Sequence, residues 1–287
     1  MSPLALGLII AAAFAHAGWN LAAKRAGAAG VGFVWLQSAV SAALLLPIGL
    51  VTLILTHADL GLWALAAGVS GVFQALYFVL LQRGYRHGEL SVVYPLARGT
   101  GPIVSVILAI AILGERPAVI GIVGGVVIVG GILVIGFTAR GSLDPARARA
   151  GVAFGILTGF TIAAYTLWDS HAVTVLAVAP LAMTWGATTT QTALMAPLAL
   201  RRPADIRGTW RLYWREVLVV GVLSPLAYGL VLFALQIAPV ALVAPGRELS
   251  VVLASLAGLF LLHEGHARQR LTGAAIVLVG IVLIALS

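Results

Sequence analysis

Apolar residues occupy the chain in ten long runs separated by short polar stretches. The runs lie at about 3–23, 30–56, 61–82, 90–113, 117–138, 150–170, 175–200, 216–237, 241–262 and 271–286. Each is near the ~20 residues that an α-helix needs to cross a bilayer, so the pattern predicts ten membrane-spanning helices. The connections are short, the longest being 139–149 and 201–215. Pro47 predicts a kink or tilt in the second span.

Composition agrees with the pattern. Of 287 residues, 61% are hydrophobic and 9% charged, with mean hydropathy +1.09. A soluble domain carries roughly 25% charged residues, so the expected class is an all-α polytopic membrane protein. The 33 glycines suit helices packed closely in lipid. The chain has no Cys, which excludes disulfides, thiolate metal sites and Cys nucleophiles. The first run, PLALGLIIAAAFAHAGWNLAAK, lacks a basic start and a small-residue cleavage site, and is expected to stay as a helix.

A pI near 10.8 would point to nucleic acid in a soluble domain. Here the basic residues are sorted by side. The odd-numbered loops hold Lys24, Arg25, Arg83, Arg86, Arg140, Arg147, Arg149, Arg201, Arg202, Arg207, Arg211, Arg215, Arg268 and Arg270, which is 14 of the 17 Lys and Arg. The even loops and both termini hold only Arg116. Such a bias puts the odd loops in the cytoplasm and both termini outside, in the periplasm of a bacterial inner membrane. The charge is topological, and no nucleic-acid partner is expected.

The chain also repeats itself. A shift of 149 places Trp19 on Trp168, Arg98 on Arg247, Glu115 on Glu264, Gly124 on Gly273 and Gly131 on Gly280. A shift of 150 places Trp35 on Trp185 and Pro47 on Pro197. The expected domains are a first five-helix repeat at 1–138, a cytoplasmic linker at 139–149 and a second repeat at 150–287. Five is odd, so the second copy enters the membrane inverted. Two inverted five-helix repeats around a central cavity are a transporter architecture, with the substrate site near the midplane.

Two charges lie inside spans. Arg98, in YPLARGTGP, is some nine residues into the fourth, about 13 Å deep at 1.5 Å per residue. Arg247, in VAPGRELS, lies at a similar depth in the ninth. An Arg at a span centre costs about 2.5–3.5 kcal/mol on insertion scales. Each sits among helix breakers: Pro95, Gly99, Gly101 and Pro102, or Pro245 and Gly246. In one reading both guanidiniums hold a carboxylate, phosphonate or phosphate in a central cavity. In the other, each donates to carbonyls freed by proline and tethers a broken helix. Glu248 is a third partner for Arg247, although adjacent α-helical positions do not face each other.

Other polar positions accompany the arginines. His16, Asn20 and Lys24 form a stripe on the first span, matched by Tyr165 and Asp169 in the sixth. His16 would line the cavity or sense a coupling proton, whereas Asn20 and Lys24 fit interhelical hydrogen bonding. Thr184, Thr188, Gln191, Thr192 and Met195 form a stripe on the seventh, where hydroxyls generally bond their own backbone. Tyr77, Tyr94, Tyr165 and Tyr228 are candidates to line the site. Trp63, Trp210, Tyr213 and Trp214 flank span ends and read as interfacial belt.

Enzyme motifs are weak. GVSG, 68–71, has the Gly-x-Ser-Gly of rhomboid-type proteases, with Ser70 as nucleophile, but the only nearby His pattern, AHAG, lies on the wrong side in chain order. HEGH, 263–266, lacks the i, i+4 spacing of a zinc site. There is no Walker-type loop, and no cofactor is expected.

GELSVVYPLARGTGP leading to GERP and a glycine-rich fifth span resembles the EamA-like branch of the drug/metabolite transporter superfamily, across essentially the whole chain. The second half carries VAPGREL and LHEG at the matching places, a departure from that wording. The resemblance implies a basket of helices around a cavity formed by spans one, three, four, six, eight and nine. It also implies secondary export of amino acids or related metabolites by alternating access, facilitated or proton-linked. Aromatic amino-acid exporters of the YddG type are similar members; so are members associated with phosphonate use, which gives organic-anion transport as the alternative.

Overall fold

The structure is a computed structural model that describes residues 1–26, 30–88, 90–136, 145–261 and 267–287. Among the described residues eleven helices follow in chain order: α1 (Pro3–Arg25), α2 (Gly30–Leu55), α3 (Leu60–His87), α4 (Leu90–Ala111), α5 (Val119–Gly136), α6 (Pro145–Thr174), α7 (Pro180–Leu200), α8 (Pro203–Ile237), α9 (Val240–Gly246), α10 (Leu249–Leu261) and α11 (Ala267–Ala285). Among the described residues nine segments are long and apolar enough to cross a membrane, with α9 and the start of α10 counted as one. The tenth span is α7, whose Thr-rich centre lowers its hydropathy.

Helix starts follow local chemistry. Ser2 Oγ accepts from Ala5 N at 3.3 Å to cap α1, and Asp59 Oδ1 accepts from Leu62 N at 2.9 Å to cap α3. Behind α4 the chain turns through Gly114 at φ +67°, a left-handed conformation that glycine takes without strain.

The packing shows the inverted duplication. Spans one to five are α1 to α5; spans six to ten are α6, α7, α8, α9 with α10, and α11. Exchanging the halves maps α1 against α8 onto α6 against α3, and α4 against α6 onto α10 against α1, and all four contacts are present. α2 packs on α7, and α5 on α11, across the pseudo-two-fold axis. The α5–α11 contact is antiparallel and backbone-close. A Cβ on Gly124 would lie 2.8 Å from Gly280 O, and one on Gly273 would lie 2.8 Å from Gly131 O. The glycines that carried the repeat signal thus close the seam between the halves.

Four expectations need correction. The stretch 201–215 is helical: α8 begins at Pro203 and bends at Tyr213 (φ −130°, ψ 25°). Its Trp210, Leu212 and Trp214 are exposed, an apolar face of the kind that lies in a lipid interface. Within the expected linker 139–149, residues from Pro145 onward are already α6. Only one of the two Arg-bearing spans is broken, because α4 runs through Pro95 and Pro102 as one helix. Trp63 is tied inward, not to the interface: its Nε1 donates to Ala182 O at 2.9 Å and its ring stacks on Trp185 at 5.4 Å. Arg140, Glu264 and HEGH lie outside the described residues.

Candidate functional site

Span nine supplies the first element of the site. Pro245 and Gly246 end α9, and α10 starts at Leu249. Between them the chain tightens into i to i−3 hydrogen bonds: Glu248 N to Pro245 O at 3.0 Å, Ser250 N to Arg247 O at 3.2 Å and Val251 N to Glu248 O at 2.8 Å. This is a 3₁₀ turn within a membrane helix. It brings Arg247 and Glu248, neighbours that an α-helix would point apart, into contact, with Arg247 Nε 3.5 Å from Glu248 Oε1.

Glu248 also reaches the other arginine. Arg98 Nη1 lies 3.6 Å from the same Oε1, so one carboxylate stands between two guanidiniums. All three side chains are buried: Arg98 is 6% exposed, Arg247 8% and Glu248 0%. At these separations the pairing is ionic without hydrogen bonds, and Arg247 Nε and Nη2 have no hydrogen-bond partner.

The aromatic and imidazole groups surround this triad. Arg98 Nη2 is 2.9 Å from His16 Nε2. A guanidinium only donates, so Nε2 accepts. The Arg98 guanidinium also lies over the Tyr94 ring at 5.6 Å, and that of Arg247 over Tyr165 at 5.9 Å. Tyr165 meets Tyr77 edge-on at 6.3 Å and Tyr228 at 5.9 Å. The seven residues singled out from sequence, Arg98, Arg247, Tyr77, Tyr94, Tyr165, Tyr228 and His16, therefore form one connected cluster. The four rings and His16 are half-buried.

A second polar group adjoins the first. Asp169, 0% exposed, accepts at Oδ2 from Ser70 Oγ at 2.9 Å and from the Tyr228 hydroxyl. Gln74 Nε2 donates to Ser70 Oγ at 3.1 Å. Ser70 is thus a member of a hydrogen-bonded chain between α3 and α6. Sequence reasoning noted Asp169 only as the match to Asn20; an acid inside a span was itself a signal of function. Gln74 carried no such signal.

Several other polar side chains bond to backbone carbonyls. Asn20 Nδ2 donates to His16 O, Thr184 Oγ1 to Pro180 O and Thr192 Oγ1 to Thr188 O, all at 2.8 Å. Trp168 Nε1 donates to Ala66 O at 2.8 Å and Trp35 Nε1 to Thr192 O at 3.2 Å, tying helices across the repeat boundary. Glu115, read from sequence as a repeat marker, accepts from Val240 N at 2.7 Å and Ala241 N at 2.9 Å. It caps α9 from the other half, where Pro239 offers no side-chain acceptor. A cavity of about 370 Å³ opens beside it, bordered by His171, Gln236 and Ser170, the residue after Asp169.

Comparison with known proteins gives fold and family. No curated protein matches the chain. A solved crystal structure is similar over 100% of this chain and 98% of its own, with a TM-score of 0.80 at 16% identity, a likeness of fold alone. The model of the EamA-like transporter family matches twice, at residues 3–137 and 149–286, once in each half. A ten-span membrane protein with this duplicated match belongs to the EamA-like transporter family.

Proposed function

We propose that the protein exports amino acids or similar small zwitterions across a bacterial inner membrane by alternating access. The observation that carries the reading is the arginine at the meeting of the halves: buried, with Nε and Nη2 lacking a hydrogen-bond partner. A buried donor left unsatisfied is costly, and a substrate carboxylate would complete the planar fork with two parallel hydrogen bonds. The tyrosine row beside it offers faces to an aromatic side chain or an ammonium group. Inverted halves support alternating access, because rocking one against the other opens the same site to either side. The basic-residue bias supports cytoplasmic odd loops and periplasmic termini. A C-terminal reporter that works only in the cytoplasm should stay silent, and a signal from it reverses this orientation.

One observation favours a second reading, transport of an organic anion such as a phosphonate: two guanidiniums share a single Glu248. Liposomes loaded with a labelled amino acid separate the two. Exchange against external amino acids, lost in Arg247→Ala, supports the zwitterion reading. Exchange that survives the substitution makes Arg247 a helix tether. With folded protein, exchange against phosphonates or sugar phosphates but not amino acids replaces the reading with the anion one.

A further inference from the structure

The centre holds a second carboxylate that the arginine pair does not use. Asp169 Oδ2 takes two donors, from Ser70 and Tyr228, while Oδ1 has no partner. The polarity of the chain is fixed. A Gln amide nitrogen only donates, so the Ser70 oxygen accepts from Gln74 and its own proton points at Asp169. Among the described residues no Lys or Arg nitrogen comes within salt-bridge distance of this carboxylate.

The groups that face Asp169 come from each element around it. α8 gives Tyr228, α3 gives Ser70 and Gln74, and α6 itself gives Tyr165 one turn earlier. Arg247, in the 3₁₀ turn, has its guanidinium over the Tyr165 ring at 5.9 Å. On α4 the charged group is Arg98, engaged with His16 of α1 and Glu248, and α7 carries no titratable side chain. A buried carboxylate without a counter-ion is penalised in its charged form. A proton from bulk water, forming an O–H bond at Oδ1, removes that penalty while Oδ2 keeps both donors.

We infer that Asp169 is a proton-binding site linked to substrate, taking up one proton as the substrate carboxylate docks on the arginine pair. This rests on the carboxylate reading of the arginines given above. The coupling follows from charge. With Asp169 ionised, Arg98, Arg247, Glu248 and Asp169 sum to zero; with Asp169 neutral the centre is left with one positive charge. With the substrate ammonium on the tyrosine faces and away from Asp169, the substrate carboxylate enters the second state more favourably, and by linkage its arrival favours protonation. Substrate affinity therefore rises as pH falls through the titration of Asp169.

The test is proton uptake by purified, weakly buffered protein as a panel of amino acids and phosphonates is added, followed with a pH dye. Uptake of up to one proton per bound amino acid is expected, and Asp169→Asn should take up none. The Asn variant, resembling the neutral acid, should bind with an affinity that no longer changes with pH. Ser70→Ala, which removes one donor to the charged form, should keep the uptake and move it to higher pH. Amino-acid binding without proton uptake, or uptake that persists in Asp169→Asn, overturns the proton site and leaves the substrate reading intact. Uptake with phosphonates alone, abolished in Asp169→Asn, sinks the amino-acid reading and leaves the proton site standing. Without any ligand, acidifying the protein should produce a protonated-carboxyl band in infrared difference spectra; an equal band in Asp169→Asn overturns the assignment.

Discussion

The two arginine-bearing spans descend from one unit and have become different devices. In the first half, Arg98 sits in an unbroken helix, its guanidinium against His16. In the second, Arg247 sits in a 3₁₀ turn, its guanidinium over Tyr165. His16 and Tyr165 occupy matching positions at a shift of 149, so the contact of first-helix residue with fourth-helix arginine is repeated. The acids are not repeated. Glu248 matches Gly99 and Asp169 matches Asn20, so both carboxylates of the centre come from the second half. Duplication supplied a symmetric pair of cations, and divergence supplied the anions on one side only. The difference teaches that symmetry sets where the buried charges meet and its breaking sets their sign.

The largest effect should come from the residue that joins the two spans. Glu248→Gln leaves two buried guanidiniums facing each other without a carboxylate, and removing one partner of a buried pair costs about 3–5 kcal/mol. The thermal midpoint of the detergent-solubilised protein should fall steeply. Gly99→Ala, at the matching place, meets Val129 Cγ1 at 3.4 Å and Leu133 Cδ2 at 3.5 Å, ordinary contacts, and should change stability little. Similar losses in both would mean that the halves still share a role there.

Next in size is the contrast between the arginines. Arg247→Lys keeps a charge by Glu248 but loses the fork, and a charge-assisted hydrogen bond is worth about 1.5–3 kcal/mol. Apparent substrate affinity in exchange assays should drop about 10- to 100-fold. Arg98→Lys can still donate to His16 Nε2 and should cost less than about tenfold on the same scale. Equal losses would erase the asymmetry drawn from Nε and Nη2, which lack hydrogen-bond partners.

The sequence made much of this legible. Hydropathy runs located the spans and two nearly equal shifts exposed the repeat, because each depends on residue type and spacing alone. The cluster of Arg98, Arg247, His16 and four tyrosines was legible too, since polar groups in apolar runs stand out. The break was not. Pro95 and Pro102 read much like Pro245 and Gly246, yet only the latter pair ends a helix, and nothing local to the two segments separates them. Glu115 was equally opaque, because its partners, the amides of Val240 and Ala241, lie more than a hundred positions away. Ser70, a motif match in one dimension, became a donor to Asp169 only when α3 and α6 packed.

A middle-sized effect tests how the broken span is held. Glu115 is the only side chain capping α9 among the described residues, and it accepts two backbone N–H groups with a charged carboxylate. Loss of a cap costs about 1 kcal/mol, somewhat more where the acceptor is charged. Glu115→Ala should lower the thermal midpoint by less than Glu248→Gln and lower exchange with it, since α9 leads directly into the Arg247 turn. Glu115→Gln keeps one acceptor oxygen and should recover part of the loss. An Ala variant as stable and active as the parent would show that Pro239 and Pro245 hold the turn unaided.

The smallest expected effect is the most discriminating, because it sets the two halves' titratable groups against each other. His16 is the ordinary choice for a proton sensor near neutral pH. Its Nε2, however, accepts from Arg98, and a second proton there would put two cations in contact inside the membrane. His16→Gln retains an acceptor oxygen for Arg98, so it should slow exchange by less than about tenfold, one neutral hydrogen bond being worth about 0.5–1.5 kcal/mol. The pH at which exchange changes should stay where it is. Asp169→Asn should instead flatten that profile. If His16→Gln flattens it and Asp169→Asn does not, proton sensing belongs to the half that kept the plain helix, and the division of anions to one side and proton chemistry with them fails.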